Sequence, residues 1–444
     1  MWRYGPGRFV SSRRSGGTLA HALELETVGT RESFLMLSLR ARVLTPVTPH
    51  ETRYLEDAVV VVDAAGLIVE LGPWDGREGA EDVRAGVLVP GFVDSHVHFP
   101  QSRIIGAASG PLLDWLENAV FPEEARFADP VHARRVAEEF SLALVSGGTT
   151  GALVYGSVHA DATHILFEEL AERGVRAIAG PVWMDSDCPE ELRIDASEAR
   201  DGVAQLVERW HGHDDDRLRV AVIPRFALAC SPAMLKTAGE VAAQHGLTVS
   251  THLAETLTEC RLVRERFGVS DYLSVYEDAG LLVPGAVFAH CVHLDEKEWN
   301  RFQEGGGVVA HCPDSNFFLG SGSMPVNAAR VRGIPLTVGT DVAAGRTFRI
   351  PQVLSSAYDN VRMGEDEVPL EELLWWGTRG GALALGWKQT GQIEVGMEAD
   401  LALLEMPPWV TTHEEVLGHV LFHRDRGPAL GTWVRGREVW RLPD

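Results

Sequence analysis

The middle of the chain alternates between short apolar runs and longer segments in which apolar residues recur every three or four positions. The short runs are typical of buried parallel strands, and the longer spacing indicates helices, for example at residues 130–146, 161–173 and 232–245. Eight such strand–helix units predict an α/β fold with a (β/α)8 TIM-type barrel at residues 88–390. The apolar runs cover residues 88–98, 149–155, 176–184, 218–226, 248–255, 286–293, 307–312 and 336–342.

Both ends of the chain have a different pattern, in which short β-type stretches are separated by turn-forming residues. Near the N-terminus these stretches lie at residues 34–42, 58–62 and 67–71, and near the C-terminus at 399–404 and 432–441. Short stretches bounded by Pro, Gly and Asp are typical of antiparallel strands. We therefore predict a small β-sandwich domain formed from both chain ends, residues 36–87 and 391–444.

Composition changes this picture by excluding several kinds of partner. The formal net charge of −23 argues against a nucleic acid or an acidic membrane surface. Five cysteines, an odd number without close spacing, favour a reducing compartment, so we expect a cytoplasmic protein. Residues 1–35 are rich in Gly, Ser and Arg and lack the apolar core of a secretory signal. We predict that they form a poorly structured N-terminal extension.

Side chains that can bind a metal collect where the predicted strands end, which is where catalytic groups lie in (β/α)8 barrels. His96 and His98 are two residues apart at the end of the first run, so both point to one side of a strand. His252 and Asp341 come from two other runs and add a third imidazole and a carboxylate. This set suits Zn²⁺, and Fe²⁺ or Mn²⁺ could use the same ligands.

Two further residues near these strand ends suit acid–base chemistry. Glu255 lies three residues after His252 and is a candidate proton shuttle for a metal-activated water. A carboxylate on a solvent-exposed loop is the alternative for this residue. His290 ends another run and could orient the water or the substrate.

The order and type of these residues resemble the amidohydrolase superfamily over about residues 40–440. The resemblance implies a metal-bearing barrel with a small β-sandwich built from both chain ends. It also implies that the catalytic residues are Glu255, His290 and Asp341. The metal ligands that it implies are His96, His98, His252 and Asp341. It rests on Pro90-Gly91-Phe92-Val93-Asp94-Ser95-His96-Val97-His98, His252, His290 and Asp341.

Four further stretches are informative: His98-Phe99-Pro100-Gln101, residues 111–127, Pro224-Arg225-Phe226-Ala227-Leu228 with Cys230-Ser231, and Ser274-Val275-Tyr276. Within the superfamily, these stretches are similar to the guanine deaminases. That similarity implies zinc-dependent hydrolysis of guanine to xanthine and ammonia, with attack at C2 and Glu255 as the proton shuttle. It also implies a homodimer. The substrate contacts that it implies are Gln101, Arg225, Phe226, His98, His252, Glu255 and Asp341.

The residues alone leave alternatives open for the purine contacts. Arginine matches the acceptor edge of guanine, but Arg225 could instead pair with a carboxylate. Phe226 could stack on the base or belong to the barrel core, and Gln101 could bind the ring edge or lie on a loop surface. Rival functions on the same scaffold are hydrolysis of 8-oxoguanine, cytosine, adenosine or a triazine. A non-catalytic scaffold of the dihydropyrimidinase-like kind is the alternative from another class.

The superfamily resemblance further implies one metal ion rather than two. Binuclear members bridge their metals with a carboxylated lysine at the end of the fourth strand. This chain has only three lysines and carries Arg225 at that strand end. An arginine remains cationic and cannot form the carbamate. We therefore expect a single mononuclear site.

Overall fold

The computed structural model describes residues 35–443. The prediction for residues 1–35 concerns a segment that, except for Leu35, lies outside the described residues. No helix within 35–443 is long and apolar enough to cross a membrane. Numbered along the chain, the strands are β1 (Leu35–Thr48), β2 (Glu51–Asp63), β3 (Ile68–Pro73), β4 (Glu81–Pro90), β5 (Phe92–His98), β6 (Thr149–Tyr155), β7 (Arg176–Gly180), β8 (Val182–Trp183), β9 (Leu218–Pro224), β10 (Thr248–Leu253), β11 (Val287–His290), β12 (Val308–His311), β13 (Leu336–Val338), β14 (Leu401–Glu405), β15 (Gly431–Val434) and β16 (Arg437–Arg441).

The helices begin and end where local side chains satisfy their free backbone groups. Capping boxes begin four of them, as at Thr256, whose hydroxyl accepts from Glu259 N while the Glu259 carboxylate accepts from Thr256 N. Glycines with a left-handed backbone end several others, for example Gly246. The helices are α1 (Leu112–Trp115), α2 (Phe121–Glu124), α3 (Pro130–Ser146), α4 (Ala160–Arg173), α5 (Ala196–Trp210), α6 (His213–Asp216), α7 (Pro232–His245), α8 (Leu257–Phe267), α9 (Leu273–Asp278), α10 (Glu296–Gly305), α11 (Pro313–Leu319), α12 (Val326–Arg330), α13 (Ile350–Met363), α14 (Leu370–Trp376), α15 (Arg379–Ala384) and α16 (His413–Phe422).

Eight parallel strands form a nearly closed barrel, which confirms the predicted fold class. Their order is β5-β6-β7-β9-β10-β11-β12-β13, and the short β8 pairs with β9. Every residue of β5, β6 and β7 is buried. This two-sided burial explains the continuous apolar runs, because helices cover the outside of the barrel while side chains fill its inside.

Strands from both chain ends form a second sheet, as the sequence predicted. Its order is β16-β15-β14-β4-β1-β2-β3, with β1 and β4 parallel and the other neighbours antiparallel. Buried aliphatic residues of β1, β2, β4 and β14 pack with Trp433 in a core of their own. The domain bounds at residues 87 and 391 stay a prediction.

The first apolar run contains two strands rather than the one predicted. Residues up to Pro90 belong to the second sheet, and those from Phe92 belong to the barrel. The chain changes sheet at Gly91, where a Cβ atom would lie 2.1 Å from Thr150 Oγ1. Only glycine allows this approach of backbone to side chain. Both strands are apolar, so the hydrophobic pattern did not mark the change.

The barrel is closed between β5 and β13 by side chains and loop backbone. The carboxylate of Asp94 accepts hydrogen bonds from Thr340 N at 3.0 Å and from the Thr340 hydroxyl at 2.5 Å. The next residue along the chain is Asp341, and its backbone N–H donates to His96 O at 2.8 Å. Asp94 is fully buried, so these donors have no access to water. The closure therefore fixes Asp341 opposite the end of β5.

Replacing Asp94 by alanine should destabilise the barrel strongly. The change leaves two buried donors of Thr340 without an acceptor, and each such group costs roughly 1–3 kcal/mol. We expect the free energy of unfolding to fall by about 3 kcal/mol in urea denaturation. Asp63→Ala is the control, because Asp63 accepts from Ala65 N and Leu67 N in a turn that water can reach. Equal losses for the two variants would contradict the role given to Asp94.

Candidate active site

Four predicted metal ligands converge at the mouth of the barrel. His98 Nε2 lies 3.2 Å from both His96 Nε2 and His252 Nε2. The Asp341 Oδ1 atom lies 3.2 Å from His96 Nε2 and 3.3 Å from His98 Nε2. The ligand atoms of all four residues lie within 4.8 Å of one another. Three nitrogen donors and one carboxylate oxygen around a single point fit a metal ion.

The backbone at these strand ends is strained. Ala254, His290, Cys291 and Asp341 all have positive φ angles between 49° and 72°. Non-glycine residues adopt this conformation at a cost of about 1–3 kcal/mol and keep it only where their surroundings enforce it. These positions lie at the ends of β10 and β11 and in the loop after β13, next to the converging side chains.

The ligand side chains have the protonation states that metal binding needs. Burial lowers the pKa of His98 to about 4 and holds the pKa of His252 well below its ordinary value. Burial alone would raise the pKa of Asp341, but hydrogen bonds with His96 and His98 outweigh it and keep that pKa well below its usual range. The cluster is thus neutral imidazoles beside an ionised carboxylate.

The orientation of His252 is fixed from behind by the backbone of Arg225. His252 Nδ1 lies 2.6 Å from the Arg225 carbonyl oxygen, which can only accept a hydrogen bond. The proton therefore sits on Nδ1, and the lone pair of Nε2 faces the cluster. The Nδ1 atoms of His96 and His98 are buried and have no hydrogen-bond partner within residues 35–443.

Glu255 and His290 lie beside the ligand cluster. His290 Nε2 is 3.5 Å from Glu255 Oε2 and 3.8 Å from Asp341 Oδ2. Burial, reinforced by the charge of Asp341, raises the pKa of Glu255 to about 8. Glu255 is only 2% exposed, which excludes the alternative of a solvated loop carboxylate. A buried carboxyl group with a raised pKa suits proton transfer near neutral pH.

Two supporting residues around this pair were missed by the sequence analysis. The Ser321 hydroxyl donates to Glu255 Oε1 at 2.8 Å, which favours the ionised form of that carboxyl. His290 Nδ1 lies 2.9 Å from Asn316 Oδ1. Both partners follow β12 in the chain, far from the residues that they contact, and neither carries a sequence signal for its role.

A small cavity opens beside the cluster. Leu112, Trp115, Leu116 and Leu319 give it an apolar wall. Such a space, apolar with a few convergent polar groups, suits a small planar ligand. The predicted site residues that line it are His98, Gln101, Arg225, Phe226, His252, Glu255, His290 and Asp341.

The position of Arg225 is compatible with both alternatives that the sequence left open. It lines the cavity, and it also pairs with a carboxylate, that of Glu124. Its two terminal nitrogens donate to Glu124 at 2.6 and 3.0 Å. Gln101 is 2% exposed rather than on a loop surface, and its Nε2 donates to the same carboxylate at 3.1 Å. Phe226 is buried and faces the cavity.

Glu124 is the third residue that the sequence analysis did not single out. It follows Glu123 in a short helix of the segment 111–127, and both carboxylates are buried. Two adjacent acidic residues within an apolar segment are the available signal. The sequence does not show that Glu124 contacts Arg225 and Gln101, whereas Glu123 pairs with Arg126 and His132.

Known proteins are similar to this chain in sequence and in overall fold. The guanine deaminase of Escherichia coli (strain K12) is 37% identical over 363 residues, which cover 80% of this chain and 82% of that protein. A guanine deaminase from C. acetobutylicum, solved with bound guanine in the active site, is 26% identical with a TM-score of 0.85, covering 91% of this chain and 100% of that one. An adenosine deaminase from Xanthomonas campestris with bound zinc is 26% identical with a TM-score of 0.79, covering 90% of this chain and 92% of that one.

The family assignment follows from the extent of the match. The pattern that defines the amidohydrolase family fits residues 87–439, which include the whole barrel and every predicted site residue. The E. coli relative exceeds 30% identity over most of both chains. This chain therefore belongs to the amidohydrolase family.

Proposed function

We propose that this chain is a guanine deaminase, which hydrolyses guanine to xanthine and ammonia. The observation that carries the proposal is one cavity lined by two kinds of group. Three of the four convergent metal-binding side chains line it together with Glu255, and so do Gln101 and Arg225 with their buried N–H donors. The relatives named as guanine deaminases support the same substrate.

The four convergent side chains would hold one zinc ion. Three imidazoles and one carboxylate are a preferred Zn²⁺ ligand set, and the zinc-bound relative from X. campestris supports this choice of metal. When bound, the ion supplies Lewis acidity that lowers the pKa of water to about 7. Arg225 stands where a bridging lysine would be needed for a second metal, so we assign a mononuclear centre.

Glu255 carries the proton in the proposed reaction. It accepts a proton from the attacking water and donates it to a ring nitrogen of guanine, which makes C2 more electrophilic. The water oxygen then bonds to C2, and the bond from C2 to the exocyclic nitrogen breaks. That nitrogen leaves as ammonia after it gains the proton of the hydroxyl group formed on C2, and the oxygen of that group becomes the new carbonyl of xanthine. His290 and Asp341, both close to Glu255, stabilise the water and the tetrahedral carbon.

Gln101, Arg225 and Phe226 bind the base. Arg225 retains N–H groups beyond the two that bind Glu124, and these suit the O6 and N7 acceptors of guanine. Phe226 offers a ring face for stacking. The apolar side chains of Leu112, Trp115 and Leu116 keep water out when the base is bound.

We further propose that the enzyme acts in the cytoplasm as a homodimer. All five cysteines are free thiols, and four of them are buried, which supports a reducing compartment. The homodimer rests on the resemblance to the guanine deaminases.

Ammonia release from a panel of bases tests the proposed activity. Zinc-loaded protein should release one ammonia per guanine, and kcat/KM for guanine should exceed that for 8-oxoguanine, cytosine, adenosine and a triazine by at least about 100-fold. Activity should disappear on chelation and return with Zn²⁺, with about one zinc per chain by elemental analysis. A higher kcat/KM for any other member of the panel would transfer the assignment to that substrate.

Replacing Glu255 by glutamine should abolish turnover without emptying the metal site. The amide keeps the size of the side chain but cannot shuttle a proton, so kcat should fall by about 10²–10⁴-fold. Zinc content should match that of the unaltered protein, because Glu255 is outside the ligand cluster. Turnover that survives the change would remove Glu255 from the mechanism.

The Ser321 hydroxyl predicts a specific shift in the pH profile. Its hydrogen bond lowers the pKa of Glu255, so Ser321→Ala should raise that pKa. Glu255 must be ionised to accept a proton, and the acid limb of kcat/KM should therefore move to higher pH, by about one unit. Ser323→Ala is the matched control, since Ser323 donates to Asn360 instead. An unmoved acid limb would show that Ser321 does not tune Glu255.

A further inference from the structure

Glu124 holds two substrate-facing groups without facing the cavity itself. Its Oε2 accepts from one terminal nitrogen of Arg225 at 2.6 Å. Its Oε1 accepts from the other at 3.0 Å and from Gln101 Nε2 at 3.1 Å. Arg225 and Gln101 line the cavity, and Glu124 is not among the lining residues. Glu124 is therefore a positioning residue for both.

The same contact cancels a buried charge. The Arg225 side chain is 2% exposed, with its guanidinium carbon 5.4 Å from the centre of the Phe121 ring and one nitrogen near the Met184 sulfur. A cation in such surroundings requires a counter-ion. Within the described residues, Glu124 is the one carboxylate that forms an ion pair with Arg225. The pair carries no net charge, although it still presents hydrogen-bond donors.

We propose that Glu124 makes the cavity select neutral over anionic oxopurines where Arg225 and Gln101 line it. This inference rests on the proposed function. The contacts with Glu124 use two of the five N–H groups of Arg225 and one of the two on the Gln101 amide. The remaining donors can bind a neutral carbonyl oxygen. An anion gains the same hydrogen bonds but no net Coulomb attraction, while it loses its hydration on entry.

This selection favours release of the product. Deamination replaces the electron-donating amine at C2 with an electron-withdrawing carbonyl group, so the ring N–H groups beside C2 are more acidic in the product than the ring N–H of the substrate. The product therefore ionises more readily than guanine does. The Glu124–Arg225 ion pair has no net charge and gives an anionic product no Coulomb attraction. An unpaired arginine would attract the anion and slow its release.

The test compares two oxopurines of different charge. Hypoxanthine is neutral at pH 7 and urate is an anion, and binding of each to zinc-loaded protein is measured by calorimetry, without turnover. The unaltered protein should bind hypoxanthine more tightly. Glu124→Gln leaves Arg225 unpaired, so the affinity ratio of urate to hypoxanthine should rise by at least about tenfold. Glu123→Gln is the control and should leave the ratio within about twofold, since Glu123 pairs with Arg126 and His132.

Two further measurements keep the inference testable if Glu124→Gln does not fold. Glu124→Asp retains the charge and should retain the ratio, whereas a tenfold change would overturn the inference. Tighter binding of urate than of hypoxanthine by the unaltered protein would also overturn it. If folded Glu124→Gln protein still hydrolyses guanine and its affinity ratio of urate to hypoxanthine is unchanged, Glu124 does not select by charge. The proposed function then still stands. If the affinity ratio rises as expected but the protein does not hydrolyse guanine, the proposed function is wrong and the selection by charge still stands.

Discussion

A polar side chain inside an apolar barrel must find a partner, and the arrangement of this molecule follows from that requirement. Asp94 is tolerated because Thr340 supplies two donors, and this contact closes the barrel. Arg225 is tolerated because Glu124 neutralises it. Where buried ring nitrogens face one another instead, as the Nε2 atoms of His96, His98 and His252 do, they surround a space that suits a cation. Buried polar groups that have partners thus support the fold, and the clustered ring nitrogens are the ones that suit a cation.

Arg225 connects the cluster of His96, His98, His252 and Asp341 with the cavity beside it. Its backbone carbonyl sets the tautomer of His252, and its side chain lines the cavity. A shift of the end of β9 would therefore move His252 and the Arg225 guanidinium together. This connection gives a physical reason why an arginine that lies outside the metal cluster is still tied to its geometry.

Local pattern predicted most of the fold and the residues that converge at the mouth of the barrel. The apolar runs mark every barrel strand, because strands buried on both faces leave a continuous signal. His96 and His98 were identifiable because their spacing matches the strand period. The sequence did not reveal contacts between distant segments: Glu124 lies 101 residues from Arg225, and Ser321 lies 66 residues from Glu255. The change of sheet at Gly91 was hidden because both flanking strands are apolar.

The pairing of the two chain ends has a consequence for the order of synthesis. β4 leads directly into β5, the strand of His96 and His98, and its neighbour β14 lies within the last 44 residues of the chain. Arg176, at the start of β7, is likewise ion-paired with Glu398 and Asp400. During synthesis, β4 and Arg176 are therefore made before the C-terminal residues that they contact. A chain cut short near residue 400 would therefore lack β14, the strand that pairs with β4 just before the segment of His96 and His98.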